Sequence, residues 1–180
     1  MTLIDEPLPG VKVLKPFVFE DARGFFVKPF HEDQLAGFGI GMSVREEFYS
    51  SSSVGVLRGM HYQAPPHDHQ KLIYCSHGRV MDVILDLRKE SPTFGKAVGV
   101  ELSSVNRHVI YVPVGFAHGF VSMAADTCMV YKTDKVHAIT HDRGILWCSI
   151  DFAWDQYCQS PTISDRDGKH PAFAEVISPF

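Results

Sequence analysis

A chain of 180 residues is long enough to bury one sizeable core and too short for two comfortable ones. With 45% apolar and 21% charged residues it has the composition of an ordinary globular domain, which excludes a disordered or fibrous protein. The formal net charge is −4 and the basic residues are scattered, so binding of nucleic acid or of a membrane surface has no electrostatic footing.

From the amino terminus, "MTLIDEPLPGVKVLKP" lacks a basic region followed by a long apolar run, and no later window approaches the ~18 apolar residues that cross a bilayer. The expectation is a cytoplasmic protein. "VKVLKPFVFED" is the first strand-like segment, and "EDQLAGFG" is the only helix-like stretch in the first half. "LIYCSHGRVMDVILDLR", "KAVGVELS", "HVIYVPVG", "GFVSMAA" and "TCMVYKT" follow, all rich in β-branched and aromatic residues. Turns are expected at Gly78, Ser91-Pro92, Ser103-Ser104 with Asn106, and Ala125-Asp126. After Trp154 the chain is polar and irregular, with a second helix-like stretch, "AFAEVI", near its end. The pattern predicts one all-β domain over residues 1–180, a sandwich or barrel whose mouth can hold a small ligand. Cys75, Cys128, Cys148 and Cys158 form no C-x-x-C pair and are expected to be reduced, packed thiols.

The densest chemistry lies in "LRGMHYQAPPHDHQKL", Leu57 to Leu72. On a flat strand Arg58 and His61 would face opposite sides, so their joint use requires a bulge, and Gly59 is where one is expected. His67-x-His69 with the later Pro113-x-Gly115-x-x-His118 follows the spacing of metal-binding cupin barrels, where three imidazoles would suit iron, manganese, nickel or zinc. Such sites normally add a glutamate shortly after the paired histidines. Here Lys71 stands in that region, and the competing reading places His67 and His69 on a loop without a role.

"DARGFF", "LRGMHYQ", "GRVMDVILDLRKESPTFG", "VPVGFAHGF", "VYKTD", "HDRGILW" and "SDRD" run in order over nearly the whole chain and resemble the dTDP-4-dehydrorhamnose 3,5-epimerase family of cupin-like sugar-nucleotide epimerases. The resemblance implies a cupin-like jelly-roll barrel, a homodimer with exchanged N-terminal strands, and no metal or other cofactor. It implies a nucleoside-diphosphate 4-keto-6-deoxyhexose as partner, in deoxysugar biosynthesis for surface polysaccharide. Hydrogens at C3 and C5 of such a sugar are α to the carbonyl, so inversion needs a base on one ring face, an acid on the other, and a stabilised enolate. By the resemblance, His61 is the base, Asp167 orients its imidazole, Lys71 stabilises the enolate oxygen and Tyr131 returns the proton. His118 lines the same pocket. Arg58, Arg23 and Arg166 are diphosphate candidates, because guanidinium forks match phosphate oxygens, and Phe26 offers a ring to the base.

Three departures from the family pattern bear on specificity. Glu46, Glu47 and Phe48 stand where "QDN" is typical, and Lys28 replaces a glutamate after "RG-aromatic-F-x". Amide and carboxylate groups cannot be exchanged for these without changing which base edge is complemented, which predicts another nucleotide, CDP first. His137 stands where a second tyrosine is frequent, which predicts epimerisation at C3 alone. The rival readings are a 3,4-ketoisomerase on the same barrel, a metal-dependent cupin enzyme using His67, His69 and His118, and a non-catalytic sugar-nucleotide binding module.

Overall fold

The computed structural model describes all 180 residues. Thirteen strands, one short helix and five single 3-10 turns form the chain. The N-terminal strands are β1 (Thr2–Leu8), β2 (Val11–Lys15), β3 (Phe17–Asp21) and β4 (Gly24–Lys28), followed by helix α1 (Glu32–Ala36). The remaining strands are β5 (Glu46–Ser52), β6 (Leu57–Gln63), β7 (Lys71–His77), β8 (Arg79–Asp86), β9 (Ala97–Ser103), β10 (Val109–Val112), β11 (Phe116–Ser122), β12 (Thr127–Thr133) and β13 (Asp142–Gly144).

Two antiparallel sheets make up the body, one in the order β1-β2-β10-β7-β12-β5 and one in the order β13-β6-β11-β8-β9. They face each other as a cupin-like jelly roll. The inward positions follow the strand period of two: along β12, Thr127, Met129, Tyr131 and Thr133 are buried while the residues between them are half-exposed. Between the sheets, Ile73, Val80, Ile84, Ile110, Phe116, Phe120 and Met129 form the apolar end of the core. On the far face of the second sheet, Leu57, Met60, Val83, Leu85, Val121 and Trp154 pack under the C-terminal tail.

The expected turns hold: Gly78 joins β7 to β8 at φ +79°, and Asp126 precedes β12 at φ +52°. The strand read over residues 11–21 is two strands broken at Pro16, which has no N–H to give to a ladder. "AFAEVI" is corrected from helix to a single 3-10 turn, Phe173–Glu175. This segment is anchored through Phe173 and Val176 onto the tail side of the core, so it presents anchors rather than an amphipathic helical face. Cys148 is exposed rather than packed, although all four thiols are free.

The bulge at Gly59 is present. On β6, Arg58 to His61 spans three steps where its partner β11 advances only from Phe120 to His118. Gly59 has φ +136°, and a Cβ there would lie 2.5 Å from the Gly119 Cα, so no other residue fits the crossing.

β3 and β4 pair only with each other, as a separate hairpin that touches the body where the Arg107 guanidinium lies 4.2 Å over the Phe25 ring. Phe17, Phe19, Phe25 and Phe26 on it are each about half-exposed.

Candidate active site

The interior narrows to a cleft of about 270 Å³ at one end of the roll, between the two sheets. β6, β11 and β13 contribute Arg58, His61, Gln63, His118 and Asp142 from one side. β5, β7 and β12 contribute Glu46, Phe48, Lys71 and Tyr131 from the other. A second cleft, lined by Ser164, Arg166 and Asp167 of the tail, shares Arg58 and His61 with the first.

His61 is half-buried on β6, and its Nε2 lies 2.8 Å from Oδ1 of Asp167, which is buried. The other carboxylate oxygen, Oδ2, accepts the Gly59 N–H at 3.1 Å, so the bulge that turns the strand also holds the carboxylate. Burial alone would raise the Asp167 pKa, but the hydrogen bonds from His61 and Gly59 outweigh it and hold it at about 2. Asp167 is therefore a fixed anion behind the imidazole.

Lys71 opens β7 with its ammonium largely buried, 3.4 Å from the His61 carbonyl oxygen. Desolvation pushes its pKa down to about 8, against the pull of Asp142 and Asp82. Tyr131 is buried on β12, stacked on Phe48 at 4.8 Å and edge-on to His118 at 6.0 Å. Burial, reinforced by the charge of Asp82, raises its pKa, which keeps the hydroxyl protonated and able to donate. His118 is buried, with its Nε2 2.7 Å from Oδ1 of Asp82. Burial lowers the His118 pKa and raises that of Asp82, each opposed by the partner.

Arg58 reaches from β6 to the Ser52 hydroxyl at 3.1 Å and to the Ser51 carbonyl at 3.1 Å, where the two clefts meet. Arg166 lines only the second cleft and bonds Asp142 at 2.5 Å. Glu46 accepts the His137 backbone N–H at 2.6 Å, and the His137 ring reaches Asp142 at 3.3 Å.

The structure thus brings together His61, Asp167, Lys71, Tyr131, His118, His137, Glu46, Phe48 and Arg58. Within one chain, Arg23, Phe26 and Lys28 are not brought to the cleft, because they ride on the separate β3–β4 hairpin. Arg23 is exposed there and bonded to Asp21 at 2.6 Å.

The metal set of His67, His69 and His118 does not form. His118 is committed to Asp82, His67 packs on the His141 ring at 4.4 Å, and no cluster of ligand atoms includes any of the three.

Residues that the sequence did not assign to the cleft also line it, among them Asp142, Gln63 and His69. Asp142 lies in a quoted motif but was not singled out. Gln63 shares the inward face of His61 by alternation, a signal that could have found it. His69, read from the sequence only as a metal ligand or as a loop residue without a role, lines the cleft with Nδ1 buried and unpartnered. Desolvation, reinforced by Lys71, drives its pKa down to about 3, so this imidazole is neutral.

Comparison with known proteins gives one consistent result. A family model described as dTDP-4-dehydrorhamnose 3,5-epimerase matches residues 5–175. A dTDP-4-dehydrorhamnose 3,5-epimerase of Shigella flexneri is 42% identical over 180 residues, covering 98% of each chain. The crystal structure of the enzyme of that name from Bacillus anthracis, with TDP and pyrophosphate bound, superposes with a TM-score of 0.92. It is 36% identical and covers 96% of this chain and 99% of its own. The dTDP-6-deoxy-D-glucose-3,5-epimerase of Legionella pneumophila, in complex with dTDP-4-keto-L-rhamnose, superposes with a TM-score of 0.91 at 30% identity. It covers 98% of this chain and 94% of its own.

Proposed function

Because the chain belongs to the dTDP-4-dehydrorhamnose 3,5-epimerase family and is an isomerase of nucleotide-linked 4-keto-6-deoxyhexoses, we propose that it inverts a dTDP-linked sugar of this class at C3 and C5, with His61 as base. The observation that carries this reading is the placement of base and acid on opposite sheets. His61 enters the cleft from β6 and Tyr131 from β12, so a hexose ring between them presents one face to each.

The imidazole of His61 takes the proton from C3 or C5. The C–H electrons become the ring C=C bond, and the C4 carbonyl becomes an enolate whose oxygen is stabilised by the Lys71 ammonium. Collapse of the enolate draws the proton of the Tyr131 hydroxyl onto the opposite face of the same carbon, inverting it. The phenolate is then reprotonated and His61 gives up its proton, both in exchange with water. Asp167 holds the imidazole in the tautomer that leaves its other nitrogen free to accept.

A cleft of about 270 Å³ suits a hexose better than an entire sugar nucleotide. The diphosphate is assigned to the boundary where Arg58 meets the second cleft, with Arg166 beyond it. Glu46 and Phe48 line the reacting end beside Tyr131, so their departure from the family pattern bears on the sugar, and the reading of a CDP-linked substrate is left to rest on Lys28. Action at C3 alone is the second reading, favoured by the commitment of the His137 ring to Asp142.

The same reading includes a homodimer, which the hairpin supports. Its exposed phenylalanines need cover, and crossing to a partner would carry Arg23, Phe26 and Lys28 to the mouth of that partner's cleft. Phe19→Glu should then shift the mass measured by light scattering from dimer to monomer. No helix is long and apolar enough to cross a membrane, and four free thiols fit a reducing cytoplasm.

Proton NMR in heavy water with dTDP-linked and CDP-linked 4-keto-6-deoxyglucose tests the substrate reading. The expected result is deuterium at C3 and C5 of the dTDP sugar, with inversion at both. Exchange of the CDP sugar alone would move the nucleotide, inversion only at C3 would establish the second reading, and no exchange with either would overturn the proposal.

A further inference from the structure

Behind the His61–Asp167 pair stands a third side chain that neither the fold nor the proposed chemistry has used. His170 places its Nε2 3.6 Å from the same Asp167 oxygen that meets His61, and its ring meets the His61 ring edge-on at 5.7 Å. That Nε2 is buried and has no hydrogen-bond partner. The room for the ring is made by Gly144, which pairs with His61 across β13 and β6. A Cβ on Gly144 would lie 2.2 Å from the His170 Nε2, inside the imidazole. Gly144 has no positive φ to explain it, so its role at this point of the strand is steric: it admits His170.

The ligand-type atoms of His61, Asp167 and His170 lie within 4.8 Å of one another, a spacing that also suits a metal ion. The guanidinium groups of Arg58 and Arg166 line the cleft beside them, however, and His61 and Asp167 already share a hydrogen bond, so a cation is disfavoured. The geometry points to a different role: His170 is a positioning residue, a ring N–H that faces Asp167 beyond the His61 and Gly59 donors, shares the carboxylate's charge with His61 and thereby sets the pH range in which His61 acts as base. At 3.6 Å the contact is longer than a hydrogen bond, so the His170 N–H acts on the Asp167 carboxylate through the electrostatics of its ring dipole, with or without substrate. Burial, reinforced by His61, lowers the His170 pKa, which keeps the ring neutral. The charged and titratable groups around His170 are His61, Asp167, Arg166 and Asp142, and His61 additionally faces Lys71 and His118.

Removing the His170 ring leaves more of the carboxylate's charge to His61 and favours its imidazolium. The inference rests on the catalytic reading of His61, so the first measurement is made without substrate: an NMR pH titration of the His61 ring in the wild type, His170→Ala, His170→Gln and Gly144→Ala. The expected result is a midpoint raised by about half a unit or more in His170→Ala. Gly144→Ala, which expels the ring, should reproduce it, and His170→Gln, which keeps a neutral donor, should restore it. The acid limb of kcat/KM for the 4-keto sugar nucleotide should move the same way. A midpoint unmoved in both His170→Ala and Gly144→Ala, or moved equally in His170→Ala and His170→Gln, overturns the inference. A moved midpoint without any substrate turnover would instead count against the catalytic reading of His61.

Discussion

Two histidine–aspartate pairs lie side by side on this sheet, His61 with Asp167 and His118 with Asp82, and strand pairing sets His61 opposite His118. Their hydrogen bonds are nearly equal, 2.8 and 2.7 Å. Their burial is not: the side chains are 30% and 6% exposed in the first pair, against 4% and 0% in the second. A carboxylate behind an imidazole therefore does not by itself make a base. The His61 pair opens onto the cleft and can exchange its proton with substrate and water. The His118 pair is almost wholly buried although the His118 ring borders the same cleft, and there it sits edge-on to Tyr131 and places Asp82 near Lys71.

Substitution in the open pair should act on rate. His61→Asn keeps the size and polarity of the site and should lower kcat by 10²–10⁴-fold, roughly the contribution of a positioned base, with little change in melting temperature. Next comes the charge between the pairs. Lys71→Met should cost about 10²–10³-fold in kcat, the loss that follows removal of one preorganised group at a developing oxyanion. Because burial lowers the Lys71 pKa to about 8, wild-type activity should fall on the alkaline side near that pH as the ammonium is lost, and this limb should be absent from the residual activity of Lys71→Met.

In the buried pair the effect should move from rate to stability. His118→Leu leaves Asp82 buried without its partner and should destabilise the fold by about 3 kcal/mol or more in denaturant unfolding. Equal stability losses in His118→Leu and His61→Asn would erase the contrast.

The smallest effect concerns His69. Its folded pKa of about 3 lies below the ordinary 6.5, so at intermediate pH the unfolded chain binds the extra proton. Stability is therefore complete above about pH 6.5 and is lost as pH falls toward 3, by about 2 kcal/mol at pH 5. His69→Gln should remove that part of the acid sensitivity, read as a smaller drop in urea midpoint between pH 7 and pH 5.

The legibility of these regions in the sequence differed as their physics does. β12 could be read from "TCMVYKT" because one face is core and the other half-exposed, and the bulge at Gly59 followed from needing Arg58 and His61 on one cavity. Lys71 and Tyr131 lie on strands whose alternation aims them inward, but it was the family resemblance that gave them roles. Asp167 is 106 residues from His61, in a tail without periodicity, and only the family resemblance pointed to it. His170 and Gly144 left no local signal, since the glycine is explained only by a ring that arrives from elsewhere in the chain. The hairpin's exposed rings are legible as apolar residues, but what covers them is a matter of assembly.

The most direct test of the central claim is the rate of deuterium incorporation from heavy water at C3 and C5 of the dTDP-linked 4-keto sugar, in His61→Asn beside His118→Asn. The account predicts that exchange at both carbons slows by about 10²-fold or more in His61→Asn and survives in whatever fraction of His118→Asn remains folded. Exchange near the wild-type rate in His61→Asn, or its disappearance from folded His118→Asn, would contradict it.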